Sequence, residues 1–187
     1  MKLLDAFDTA MAEFDRRVHR VRQDQWSGPT PCTDWSVRDL VNHLTGEHLW
    51  APWLLRGSTV AEVGTRFDGD VLGDDPVAAW ERAAGDSRAA FHAESEFDAQ
   101  VDTSGGPIPA AEYEWQMTSD LTVHAWDLAR AIGDDDTLDH DLAVAVHDHI
   151  EPQIGNWQGL GLFEPPISVP RSARPQDKLV ALLGRQP

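Results

Sequence analysis

What most constrains this chain is a helical period that keeps returning along it. Leu3, Leu4, Phe7, Met11, Phe14, Val18 and Val21 recur at steps of mostly three and four. That is the spacing of one face of an α-helix, and it predicts an amphipathic helix over 3–22. "WSGPTPCTDW" breaks the pattern with Gly28, Pro29 and Pro31. A second helix opens in "SVRDLVNHLTGEHLWAPWLLRG", where Ser36 is the N-cap, Asp39 gives a capping-box-like start, and Gly57 is the stop. The Gly- and Asp-rich segment 58–74 reads as a loop with room for a short helical turn. "DDPVAAWERAAGDSRAAFHAE" is a third helix, capped by Asp75 with Pro76 at its first position. "VDTSGGPIPAAE" has turn chemistry at Gly105, Gly106 and Pro107, and both a small hairpin and a plain loop stay open. A fourth helix is expected from about Ala110 to Ile132, stopped by Gly133. A fifth spans roughly 138–154, and a short amphipathic helix near 175–183 follows a proline-rich stretch. The expectation is an all-α bundle with antiparallel neighbours, a single domain over 1–187 with a full core.

Charge narrows the function. The net charge is -17. Nucleic-acid binders present basic stripes, so nucleic acid is excluded as a partner. Docking on anionic membranes is excluded for the same reason. The single cysteine, Cys32, leaves no intramolecular disulfide. "MKLLDAFDTAMAEFDRR" has acidic residues where a signal peptide would have an uninterrupted apolar core. No apolar run approaches the roughly 20 residues of a membrane-spanning helix. A soluble, cytoplasmic protein is therefore expected, acting on a small molecule; a homodimer is compatible with the pattern.

Chemistry concentrates on two helices. Asp120 and His124 stand four residues apart in "SDLTVHAWDLARAIG", stacked on one helical face. His43 stands among the apolar residues Leu40, Val41 and Leu44 of the second helix, with Glu47 one turn on. If the helices face each other, His43, Asp120 and His124 form a two-histidine, one-carboxylate set with coordination positions left open. The competing reading is a buried histidine hydrogen-bonded to a carboxylate. His48 lies five residues after His43, about 140° round the helix, and should point elsewhere. His140, His147 and His149, interspersed with Asp139, Asp141 and Asp148, read as a solvated acidic face. Cys32 sits in a proline-rich turn before a helix, where a small packed residue and a thiol of lowered pKa are the alternatives. Arg38 and Asp127 are either partners that orient the imidazoles or an ion pair between helices. There is no Gly-rich phosphate loop, G-x-S-x-G elbow, H-E-x-x-H or C-x-x-C.

"TPCTDWSVRDLVNHLTGEHLWAPWLLRG", "LTVHAWDLARAIG" and the ending "RPQDKLVALLGRQP" together resemble an actinobacterial family. It is related to the metal-binding N-terminal domain of mycothiol-dependent maleylpyruvate isomerase, in the DinB-like four-helix-bundle superfamily. The resemblance spans nearly the whole chain and implies that fold, with additional short C-terminal helices. It also implies a divalent metal, zinc first, with nickel or iron as alternatives, held by the histidine of the first block and the acid-x-x-x-His pair of the second. Those positions are His43, Asp120 and His124. Two departures stand out. The carboxylate is Asp120 where the isomerase has Glu, one methylene shorter. The chain ends at Pro187, where the isomerase has a further domain, so the isomerase activity itself is not expected to carry over. The resemblance implies a metal-dependent enzyme that uses mycothiol or a similar low-molecular-weight thiol in transfer or addition to a small electrophile. The alternatives are a metal-dependent hydrolase and a non-catalytic small-ligand-binding bundle.

Overall fold

The computed structural model describes residues 1–32, 34–93, 99–155 and 164–187. Its elements are α1 (Leu3–Val18), α2 (Val37–Leu55), α3 (Val60–Val63), α4 (Pro76–Ala93), β1 (Gln100–Thr103), β2 (Gly106–Pro109), α5 (Ala110–Ile132), α6 (His140–Ile150) and α7 (Pro175–Leu182). The four long helices form the bundle. α1 lies chiefly along α5 and α2 along α4, while α2 also meets α5. α6 and α7 pack on each other beside it.

α5 is the central helix. Every residue from Leu121 to Ala129 is buried, as expected of a helix surrounded on all sides. Its interior polar groups are satisfied locally: the hydroxyls of Thr118 and Thr122 each donate to the carbonyl four residues earlier, at 2.7 Å. Gly133 ends the helix at φ 70, a left-handed cap that a residue without Cβ adopts freely. The bundle core includes Phe7, Phe14, Leu40, Leu44, Trp80 and Phe91, all essentially inaccessible to water.

α1 stops at Val18, four residues short of its predicted end. Arg20 and Val21 close tight bonds to the carbonyls of Arg17 and Val18, and the Arg20 guanidinium leaves the helix to grip Asp134 at 2.8 Å. Arg17 is fully buried, pairing with Glu13 and donating to the carbonyls of Asp135 and Thr137, so it ties α1 to the turn after α5. α6 is shorter than predicted at both ends. The Asp139 carboxylate caps it by accepting from Leu142 N–H at 2.9 Å, and Leu138, outside it, donates to Gln176 Oε1. α4 ends at Ala93; the last residue expected in it, Glu94, lies outside the described residues. Residues 100–109 are the hairpin rather than a plain loop, with Val101 opposite Ile108 and Gly106 turning at φ 105.

Candidate metal centre

α2 begins at the capping box read from the sequence: Ser36 Oγ accepts from Asp39 N–H, and the Asp39 carboxylate accepts from Ser36 N–H at 2.9 Å. This fixes the helical phase of α2. The face bearing His43 meets the face of α5 bearing Asp120 and His124. His43 Nε2 lies 2.9 Å from Asp120 Oδ2, and His124 Nε2 lies 3.3 Å from Asp120 Oδ1. The imidazole centroids are 5.4 Å apart at an interplanar angle of 78°. The turn before α2 supplies a wall. Asp34 sits at φ 67, a left-handed conformation that Asp tolerates better than most residues. After it Trp35 stands 4.9 Å from the His43 ring and 5.8 Å from that of His124. His124 is buried, whereas the side chains of His43 and Asp120 are 31% and 28% exposed, so the centre opens to solvent on their side.

Electrostatics shape the centre. Burial alone would push the Asp120 carboxyl up; the two imidazoles override it and hold it well below the usual carboxylate range. Burial opposes charge on His124 as well, but Asp120, Asp127 and Cys32 together raise its pKa well above the ordinary value. His43 is raised by Asp120 against the same desolvation. Glu47, one turn along α2, is raised by burial and by its proximity to Asp120, and therefore holds its proton to higher pH.

A second layer fixes His124. Its Nδ1 lies 3.0 Å from Asp127 Oδ2, and Asp127 is gripped by Arg185, with NH2 to Oδ2 at 3.0 Å and Nε to Oδ1 at 3.3 Å. Asp127 is fully buried; burial raises its pKa, but His124 and Arg185 outweigh burial and lower it. Gly184 lets the tail reach this point. It turns at φ 80, and a Cβ there would come within 2.5 Å of Glu164 Cβ and 2.7 Å of its backbone oxygen.

The donor set fits a divalent cation. With Nδ1 donating to Asp127, His124 Nε2 faces a carboxylate oxygen across 3.3 Å. Two lone pairs do not stay at that distance without positive charge between them. In the metal-free protein protons supply it, which is why both histidines are raised and Asp120 is depressed. A metal would take the place of those protons, held by the same three residues, whose ligand atoms all lie within 4.8 Å of one another. Two imidazole nitrogens and one carboxylate suit zinc, nickel or iron. A second group with the same mutual spacing is Cys32, His124 and Asp127. There the positive charge is already in place: Arg185 lies on Asp127 and 3.5 Å from Cys32 Sγ. That charge makes the group better suited to orienting His124 than to taking a second ion.

The three residues singled out from spacing are thus brought together, and His48 points away, its Nδ1 2.8 Å from Ser87 Oγ. Asp127 takes the orienting role. Arg38 does not: it pairs with Asp70 at 2.7 Å and donates to the Gly73 carbonyl, so no Arg38–Asp127 pair forms. The acidic-face histidines stay apart from the centre. His149 stacks on Trp115 with centroids 4.6 Å apart, and His147 faces Asp148. Sequence reasoning missed two residues. Cys32 is not merely packed; its Sγ lies 3.2 Å from Asp127 Oδ2 and 3.7 Å from His124 Nδ1. Arg185 lies in the ending block that carries the resemblance, but nothing there pointed to Asp127 as its partner.

Comparison with known proteins places this geometry. Residues 7–129 match the family described as mycothiol maleylpyruvate isomerase N-terminal domain. The chain belongs to that family. Two uncharacterized proteins of Mycobacterium tuberculosis, from strains CDC 1551 and H37Rv, are each 34% identical to it over 194 residues, covering 99% of this chain and 98% of theirs. The crystal structure of the mycothiol-dependent maleylpyruvate isomerase superposes with a TM-score of 0.64, and that of a histidine-to-alanine mutant with 0.66. In both, identity is 16%, with 88% of this chain and 74% of the other covered. The fold is therefore the DinB-like bundle of that isomerase. No helix among the described residues is long and apolar enough to cross a membrane.

Proposed function

We propose that this member of the family is a metal-dependent enzyme that joins a low-molecular-weight thiol, mycothiol or a close relative, to a small electrophilic molecule. The observation that carries this reading is the convergence of His43 Nε2, His124 Nε2 and the Asp120 carboxylate on one point, with His43 and Asp120 partly open to solvent. Three protein ligands leave room for an exogenous group. A bound divalent metal, zinc as first choice, lowers the pKa of a thiol it coordinates and keeps it a thiolate at neutral pH. The chain's own residues prepare the place. His43, Asp120 and His124 would hold the ion; Asp127, backed by Arg185, fixes the tautomer and plane of His124; Trp35 walls the two imidazoles on one side. The thiol belongs to the family name, and membership supports it here.

The test is spectroscopic. Protein loaded with cobalt is titrated with mycothiol. A sulfur-to-cobalt charge-transfer band that saturates with thiol is expected, and its loss in His43→Ala ties it to this centre. A cobalt spectrum unchanged at saturating mycothiol removes the thiol from the reading and leaves metal-assisted hydrolysis, with water as nucleophile, as the successor.

A further inference from the structure

The opposite side of α2 carries a feature that the metal centre does not use. An open cavity of about 770 Å³ lies between α2, the loop after α3, and α4. That volume is in the range of small-molecule sites. Its most unusual wall is a cluster of two cations on one ring. The Arg66 guanidinium carbon lies 4.0 Å from the centroid of a Trp53 ring, and that of Arg56 lies 5.4 Å away. Neither guanidinium has a carboxylate within ion-pair distance among the described residues, although the chain holds 32 Asp and Glu against 15 Lys and Arg. Where acids outnumber bases so heavily, two like charges gathered without a counter-ion among the described residues favour an anion between them.

The floor is uncharged and polar. His48 is fully buried, and burial pushes its pKa down to about 3, so it adds no cation of its own. Its Nε2 has no hydrogen-bond partner among the described residues. Pro52 lacks the N–H that would close the helical bond to the His48 carbonyl. Trp53 and Phe67 supply apolar surface, and α4 faces them with small side chains, Ala89 and Ala90. Among the described residues, Asp86 is the one acid on the lining.

We infer that this cavity binds a small organic monocarboxylate with a flat apolar body. Its carboxylate lies between Arg56 and Arg66, where guanidinium forks match carboxylate geometry, and its body lies against Trp53 and Phe67. Size and charge both follow from the surroundings. The Arg pair acts over about one Debye length, roughly 8–10 Å in physiological salt; beyond that a polyanion meets the net charge of -17. Asp86 acts against a second negative charge within the cavity. The site is separate from the metal centre, since His43 and His48 point to different sides of the same helix.

Titration of the full-length protein with benzoate, followed by proton–nitrogen correlation NMR, tests this. The Trp53 indole signal is assigned with Trp53→Phe, and the Trp35 indole reports on the metal centre. Benzoate is expected to move the Trp53 indole saturably and leave that of Trp35 in place. Benzamide, its neutral counterpart, and the doubly charged phthalate should bind at least about tenfold more weakly, the scale of one lost charge-assisted hydrogen bond. The double variant R56Q/R66Q, altered only at exposed positions, should lose affinity by at least the same factor. The inference is overturned if benzoate leaves the Trp53 signal unmoved or shifts Trp35 instead. It is equally overturned if benzamide or R56Q/R66Q matches benzoate on the wild-type protein, because the arginines would then play no part.

Discussion

His43 and His48 share one helix, five residues apart, and have opposite chemistry. His43 faces α5, where Asp120 stands 2.9 Å away, and its pKa is raised. His48 faces α4 and α1, where among the described residues it meets the Ser87 hydroxyl and the rings of Trp80 and Phe7, and its pKa falls to about 3. Burial opposes the charged form at both places. The difference is a carboxylate. Where one faces the ring, it favours positive charge on the imidazole; where none does, the ring stays neutral and packs as an aromatic.

Removing the carboxylate-facing chemistry should have the largest effect. His124→Ala is expected to weaken zinc binding by more than about 100-fold, beyond the loss typical of an orienting partner. Metal analysis of protein purified without a histidine tag checks it, and a variant that retains stoichiometric zinc would show that His43, Asp120 and His124 are not its ligands. Next comes the orienting shell. Arg185→Gln leaves Asp127 buried without its cation and should cost about 10–100-fold in zinc affinity; calorimetric titration measures it.

The contrast can also be broken from the other side. Ser87→Asp would give His48 the carboxylate that it lacks, and its pKa should climb from about 3 by several units, followed by NMR of the imidazole signals. The reciprocal change, Asp120→Asn, should lower both His43 and His124 in metal-free protein. The sign of the stability effect follows from linkage. A histidine whose folded pKa is raised stabilises the fold below its unfolded value near 6.5 and loses that contribution as pH rises through the folded pKa. Metal-free wild type should therefore lose stability from about neutral pH upward, and Asp120→Asn should flatten that slope.

The smallest effect sharpens the same rule with an acid. Glu114 is buried with no hydrogen-bond partner for Oε1 among the described residues, and burial raises its pKa to about 7. The folded state thus binds more protons than the unfolded one between pH 4.5 and 7, and stability falls as pH rises through that window. Glu114→Gln should be more stable than wild type at pH 8 and nearly equal to it at pH 4. Urea unfolding at the two pH values measures it.

Local signals were legible because they need only neighbours in the chain. Ser36 with Asp39 fixed the start of α2, Gly133 the end of α5, and the Asp120–His124 spacing a shared helical face. The separation of His43 from His48 followed from helical rotation alone. The ends of α1 and α6 were misjudged because partners distant in sequence, Asp134 for Arg20 and Gln176 for Leu138, decide them. The same holds for the centre's outer shell. By itself the sequence determined which residues share a face, since a helix's period is set by its own backbone. Only the tertiary structure decided which faces meet: α1 on α5, the turn of Cys32 over His124, and Arg185 folded back onto Asp127. Those contacts join residues far apart in the chain, and they form where burying apolar surface and pairing buried charge outweigh the entropy of closing the loops between them.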